Sequence, residues 1–261
     1  MTDMNAAVRF EIAEPHIALV TINRPEARNA VNGAVAAGVE AAVERVEADP
    51  DLWAAVLTGS GTLAFCAGAD LKEVSAGNGA ALSTAKGGFG GFVRAPRTKL
   101  WVAAAAGHAL AGGLELLLTC DLAVAADTAT FGLPEVKRSL IAAAGGVFRL
   151  PRSIPKAIAL EMIATGDPIT AARAEHFGLV NAVVPAGEVV AAALALARRA
   201  TVNAPLAMQE ALGIARRAQD LTEPELWDLT GQAMRRVYAT ADFKEGPRAF
   251  VEKRAPKWVG R

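Results

Sequence analysis

The stretch LWVAAAAGHALAGGLELLLTCD, residues 100–121, decides the fold class of this chain. It opens with a short apolar run, Leu100 to Ala106, that stops at Gly107, which reads as a strand buried on both faces. Gly112-Gly113 then opens a helix in which Leu114, Leu116, Leu117 and Leu118 are apolar nearly all round. The design recurs on either side, in VLTGSGTLAFCAGADLKEV (56–74) and TFGLPEVKRSLIAAAGG (130–146). An apolar strand running into glycines and then into a helix start, repeated, predicts an α/β protein with parallel strands.

Working outward, Val8, Phe10 and Ile12 alternate with charged residues, and Ile17 to Ile22 follows the Glu14-Pro15 turn, so a β-hairpin is expected first. Asn32 is an N-cap candidate for a helix carrying Val35, Val39, Val43 and Val46, which Asp49-Pro50 stops. Trp53 to Thr58, Leu122 to Ala126 and Val180 to Val184 read as further short strands. The Gly-, Ala- and Ser-rich run from Ser75 to Arg97 is expected to be a mobile loop. Beyond Glu188 the pattern is helical: 188–200, 205–218, 223–239 and 243–253.

At 261 residues, 52% apolar and 21% charged, the chain can bury one large core with an appendage. Lys plus Arg and Asp plus Glu both number 27, so no global field exists to gather nucleic acid or an anionic membrane. The opening MTDMNAAVRF has no basic segment followed by an apolar run, and nothing approaches a spanning length, so a cytoplasmic protein is expected. Cys66 and Cys120 form no CxxC and should be free thiols, with Cys66 a small buried apolar residue rather than a nucleophile. No His or Cys spacing suggests a metal.

The chemistry lies in the glycine loops. Amides at a helix start are unpaired and carry the positive end of the helix dipole, so two such loops facing each other can hold an oxyanion. Glu115 sits in the middle of an apolar turn, where a carboxylate is costly unless it is exposed, paired or catalytic. Glu135 follows Pro134 at the end of an apolar run. Each alone is equally well read as a first-turn glutamate favoured by a helix dipole.

Taken together, AFCAGADLKEV (64–74), GHALAGGLELLLTCDLAVAAD (107–127), FGLPEVKR (131–138) and AFVEKRAPKW (249–258), with TINRPEARNAVN (21–32) before them, resemble the enoyl-CoA hydratase or crotonase family. The resemblance covers nearly the whole chain. It implies a spiral of ββα units, with residues 1–200 as the core holding an acyl-CoA site and 201–261 as a helical region for trimer or hexamer formation. It implies a thioester oxygen held by the backbone N–H groups of Ala69 and Gly112, and catalysis by Glu115 and Glu135, one acting on water and the other on the Cα proton. Arg28, Phe250 and Lys253 become candidates for the coenzyme A moiety. Glu26, Ala27, Ala67, Gly68, Asp70, Leu71, Gly113 and Pro134 are implied at the substrate. No metal or redox cofactor is implied; coenzyme A belongs to the substrate.

The chain departs from the family pattern at Ala111, which stands for a glycine, and at Ser139, Ala142 and Ala143 in a run that is commonly Gly-x-x-Pro-Gly. Added methyls there are expected to narrow the acyl pocket. A dinucleotide fingerprint, Gly59-x-Gly61-x-x-Ala64, competes weakly, because the residues after Gly61 lead into another glycine loop rather than a periodic helix. A serine hydrolase is disfavoured by the lack of any G-x-S-x-G. Within the family the rivals are isomerase, specialised dehydratase, thioester hydrolase, or a non-catalytic acyl-CoA binder.

Overall fold

The computed structural model describes residues 2–261. The chain starts with strands β1 (Thr2–Asn5), β2 (Val8–Glu14) and β3 (Ile17–Ile22), the last two forming the expected hairpin. Helix α1 (Gly33–Ala48) follows, its N-cap Asn32 side chain accepting from the Val35 N–H at 2.9 Å. Then come β4 (Ala54–Gly59), β5 (Ala64–Cys66) and α2 (Leu71–Ser75), the small hairpin β6 (Ser83–Thr84) and β7 (Gly88–Phe89), then β8 (Leu100–Ala105), β9 (His108–Leu110) and α3 (Gly112–Thr119). A third pair, β10 (Leu122–Ala126) and β11 (Thr130–Gly132), leads into a 3₁₀ turn at Pro134–Arg138 and helices α4 (Gly146–Ser153) and α5 (Lys156–Thr165). The core closes with β12 (Ile169–Thr170), α6 (Ala171–His176), β13 (Ala182–Val184) and α7 (Val189–Thr201). Helices α8 (Pro205–Ala215), α9 (Glu223–Tyr238) and α10 (Ala241–Val251) complete the chain.

The large sheet runs β1-β2-β3-β4-β8-β10-β13, the small one β12-β11-β9-β5. Each turn of the chain therefore lays one strand in the large sheet and the next in the small sheet: β4 then β5, β8 then β9, β10 then β11. Successive turns stack in parallel, β4 on β8 on β10 and β5 on β9 on β11. This is a spiral of ββα units. Every residue of β4 and β8 is buried, which is why those strands read as continuous apolar runs rather than alternating ones. Helix α7 lies across β4, β8 and β10 through Val189, Ala193 and Ala197.

The run from Ser75 to Arg97 is not a bare loop. It carries a 3₁₀ turn and the β6–β7 hairpin, buries Phe92 completely and Val93 nearly so, and within the GGFGG run, residues 87–91, seats Gly91 against α1 and Gly90 against Leu116. Its glycines serve close packing: a Cβ at Gly91 would lie 2.0 Å from the Ala36 carbonyl oxygen. Among the described residues no single helix is long and apolar enough to cross a membrane.

Candidate active site

The three glycine loops come together because they are one position in three turns of the spiral. Each joins the end of a small-sheet strand, β5, β9 or β11, to the helical turn that follows. A Cβ at Gly68 would meet the Ala111 Cβ at 2.9 Å and the Gly112 nitrogen at 3.1 Å, so the first two loops touch. In the first loop the amides of Ala67, Gly68 and Asp70 are engaged by the Arg28 carbonyl, the Cys66 sulfur and the Val31 carbonyl. The Ala69 N–H between them donates to no protein group among the described residues. In the second, Ala111 donates to Gly132 and Leu114 donates back to Ala111, and the N–H groups of Gly112 and Gly113, the first residues of α3, donate to no protein group among the described residues. Ala111 itself has φ +52° and ψ −128°, a conformation costly for any residue with a Cβ, and it turns the chain so that α3 starts toward the first loop.

A cavity of about 520 Å³ opens in front of these two amides. Its wall includes Ala67, Ala69, Leu71, Ala111, Gly112, Glu115, Pro134 and Glu135, with Arg28 at its edge. Glu115 is 3% exposed and Oε1 accepts from the Gly146 N–H at 2.9 Å. Burial pushes its carboxyl up to about 7, opposed by that amide and reinforced by the like charge of Glu135. Glu135 reaches the same cavity from the 3₁₀ turn, and its carboxyl is also raised, by burial, against its own backbone N–H and Arg138. Its Oε2 is buried with no hydrogen-bond partner. A buried carboxylate oxygen left without a donor suits a group that holds a proton or awaits a ligand.

Other sequence candidates are placed elsewhere. Asp70 does not line the cavity: it caps α2 through the Lys72 N–H and pairs with Arg24 at 2.9 Å. Gly113 is fixed by packing, since a Cβ there would sit 1.9 Å from the Cys66 carbonyl oxygen. Gly68 sets the contact between the loops rather than the wall, and Glu26 and Ala27 lie in the outer 3₁₀ turn at 25–27. Phe250 is 85% exposed on α10, and neither it nor Lys253 borders the cavity within this chain. Of the three substituted loop positions only Ala143 faces the cavity; Ala142 is buried against Gly146, and Ser139 caps the 3₁₀ turn in the left-handed region. Cys66 is fully buried, its thiol pushed up by burial to about 12, which suits a packing residue.

Sequence reasoning missed Phe89, Leu110, Arg138, Leu140, Ile141 and Ala144 in the wall. Phe89 is the most consequential, because a Cβ at Gly112 would lie 2.4 Å from its ring. The signal was there in an aromatic flanked by glycine pairs.

The model for the enoyl-CoA hydratase/isomerase family matches residues 13–261. This chain belongs to that family. The enoyl-CoA hydratase EchA19 of Mycobacterium tuberculosis is 40% identical, with 94% of each chain covered. A crystal structure of an enoyl-CoA hydratase from Mycobacterium tuberculosis superposes with a TM-score of 0.94 at 42% identity, covering 98% of this chain and all of that one. The (E)-benzylidenesuccinyl-CoA hydratase of Thauera aromatica is 37% identical over 97% of this chain and 99% of its own length. The family's crotonase spiral is thus the fold of this chain.

Proposed function

We propose that this protein is a 2-enoyl-CoA hydratase, a hydro-lyase that adds water across the 2,3 double bond of an enoyl thioester to give a 3-hydroxyacyl-CoA. The observation that carries the reading is the placement of two carboxylates, buried Glu115 and half-buried Glu135, in one cavity with two unengaged amides, Ala69 and Gly112. The hydratase names of the relatives support it.

The chemistry follows from the geometry. Attack of water oxygen on C3 moves electrons onto the thioester oxygen, and the two amides stabilise that enolate by roughly 3–4 kcal/mol per well-aimed donor. Two carboxylates sharing a low-dielectric cavity resist ionising together. Glu115 orients the water and takes its proton, and Glu135, whose carboxyl burial also raises, delivers a proton to C2. The reaction needs no metal or redox group, and coenzyme A enters as part of the substrate, with Arg28 at the cavity edge available to its phosphates. Leu71, Phe89, Leu110, Leu140 and Ile141 offer the acyl chain apolar wall. The assembly is a homotrimer or homohexamer, supported by the apolar side chains left exposed on α9 and α10, with residues 201–261 as the assembling region and the cytoplasm as its compartment.

Crotonyl-CoA tests the reading. Loss of the conjugated enoyl absorbance without release of free thiol is expected, and Glu115→Gln and Glu135→Gln should each lower kcat by roughly two to four decades while crotonyl-CoA still binds. Thiol release would turn the assignment to a hydrolase. A folded single variant retaining activity within about threefold of the parent would remove that carboxylate from the mechanism.

A further inference from the structure

Glu115 does not hold its own carboxylate in place. Oε1 is met by the Gly146 N–H at the first residue of α4, and the Ala144 N–H also bears on the carboxylate. Both donors belong to the turn 144–146, which stands in front of α4, its Gly145 carbonyl accepting from the Phe148 and Arg149 N–H groups. The side chain that hydrogen-bonds to this turn is that of Arg149. Its guanidinium folds back over the turn so closely that a Cβ at Gly145 would lie 2.7 Å from Nη1. Nη1 donates to the Ala144 carbonyl at 3.3 Å and to Thr119 Oγ1 at 2.8 Å, and Nη2 donates to the Val93 carbonyl at 2.7 Å.

Those acceptors sit on three separate pieces of the site. Thr119 ends α3, the helix that carries Glu115, and its hydroxyl donates in turn to the Glu115 carbonyl at 2.7 Å. Ala144 lies in the turn whose amides meet the carboxylate. Val93 closes the segment that carries Phe89, its N–H donating to the Phe89 carbonyl, and the Phe89 ring covers Gly112. One planar fork therefore joins the carboxylate's helix, the carboxylate's hydrogen-bond donor and the cover of the oxyanion amide. Lysine, whose three donors sit on one nitrogen, does not reproduce that arrangement.

We propose that Arg149 is a positioning residue for Glu115: it fixes the 144–146 turn against the carboxylate and supplies the cation that favours its ionised, water-activating form. The inference rests on the assignment of Glu115 as the group that acts on water. Arg149 makes no hydrogen bond to the carboxylate, so its influence passes through the backbone it clamps and through space. The charged groups that bear on Glu115 are Glu135, from the 134–138 turn, and Arg149, from α4, and they act in opposite directions. Removing Arg149 leaves Glu135 and burial unopposed apart from the amides, so Glu115 protonates at higher pH. Activity that needs the ionised form is then lost sooner as pH falls.

The test is the pH profile of crotonyl-CoA hydration, run from about pH 5.5 to 9 on Arg149→Met and Arg149→Lys beside the parent enzyme. Arg149→Met should lower kcat about tenfold or more with KM within about threefold, and should move the acid limb of kcat/KM upward by about half a pH unit or more. Arg149→Lys should lose kcat because the fork is gone, yet keep the parental acid limb because the charge is kept. A side chain that only stabilises the fold would lower the melting temperature and leave the limb where it is. A folded Arg149→Met enzyme with the parental kcat and limb overturns the proposal; if that variant does not fold, an Arg149→Lys enzyme with the parental kcat overturns it instead. Glu115→Gln separates this from the reading beneath it. If that variant stays active, the role of Glu115 falls and this inference falls with it; if it is inactive while Arg149→Met matches the parent, only the inference falls.

Discussion

The spiral core and the three C-terminal helices are built to different standards of completeness. From β2 to α7 the strands and α1 build one contiguous core that buries Trp101, Phe65 and Phe131 completely, with exposed apolar side chains such as Leu71, Leu140 and Ile141 lying at the cavity, and the polar group it buries in the cavity is Glu115. In α8–α10 the buried residues are Pro205, Ala233, Asp242 and Ala249, whereas Trp227 is 67% and Phe250 85% exposed. The two regions also treat glutamate oppositely. Burial lifts Glu115 to about 7, while Glu245 in α10 is held down to about 2 by its hydrogen bond to Arg254, with the Lys257 N–H behind it. The core spends folding energy on burying a carboxylate, and the C-terminal helices satisfy their charges locally and leave apolar surface for something else.

Two glycines should break the comparison most sharply. Gly113→Ala drives a Cβ to within 1.9 Å of the Cys66 carbonyl oxygen and should cost about 3 kcal/mol or more, abolishing activity. Gly213→Ala, in α8 with open space around it, should instead stabilise by about 0.5–1 kcal/mol. Urea melts of both variants check the pair, and a well-tolerated Gly113→Ala would mean the first two loops are less tightly joined than described.

A smaller effect concerns pH. Because the folded-state pKa of Glu115 lies above its unfolded value, the folded chain binds more protons between about pH 4.5 and 7, and stability falls as pH rises through that window. Glu115→Gln should remove this slope and gain roughly 2 kcal/mol near pH 8. Glu245 runs the other way, its contribution present above its unfolded value and lost as pH falls toward about 2. Melting curves against pH for Glu115→Gln and the parent decide the point, and parallel curves would mean that Glu115 is better solvated than its burial implies.

The mildest perturbation lies on the surface. Light scattering should give a trimer or hexamer, and Trp227→Asp should shift the distribution toward smaller species while leaving the monomer's fold, read by far-UV circular dichroism, unchanged. A parent that is monomeric at micromolar concentration would end the idea that copies of this chain cover α9.

The order of strands, loops and helices was legible because a strand buried on both faces has no polar residues to interrupt it, and because glycines mark where strand gives way to helix. β8, β10 and α1 fall within a residue of the stretches quoted from the sequence. Glu115 was also legible as a carboxylate in an apolar turn, whereas Glu135 was singled out only by the family resemblance. What the sequence alone determined was thus local: periodicity, breaks, and residue types out of keeping with their neighbours. The tertiary structure decided what each residue is spent on. Asp70 is consumed by Arg24, Gly113 by the Cys66 carbonyl, and of the glycines beside Phe89, Gly91 is consumed by α1 and Gly90 by Leu116 of α3, while the ring lies against Gly112. Arg149 has nothing in its local pattern to tie it to Glu115; the contact exists because two successive turns of the spiral stack. Hydrophobic period is a property of neighbours along the chain, whereas burial, pKa and hydrogen-bond partnership depend on neighbours across it.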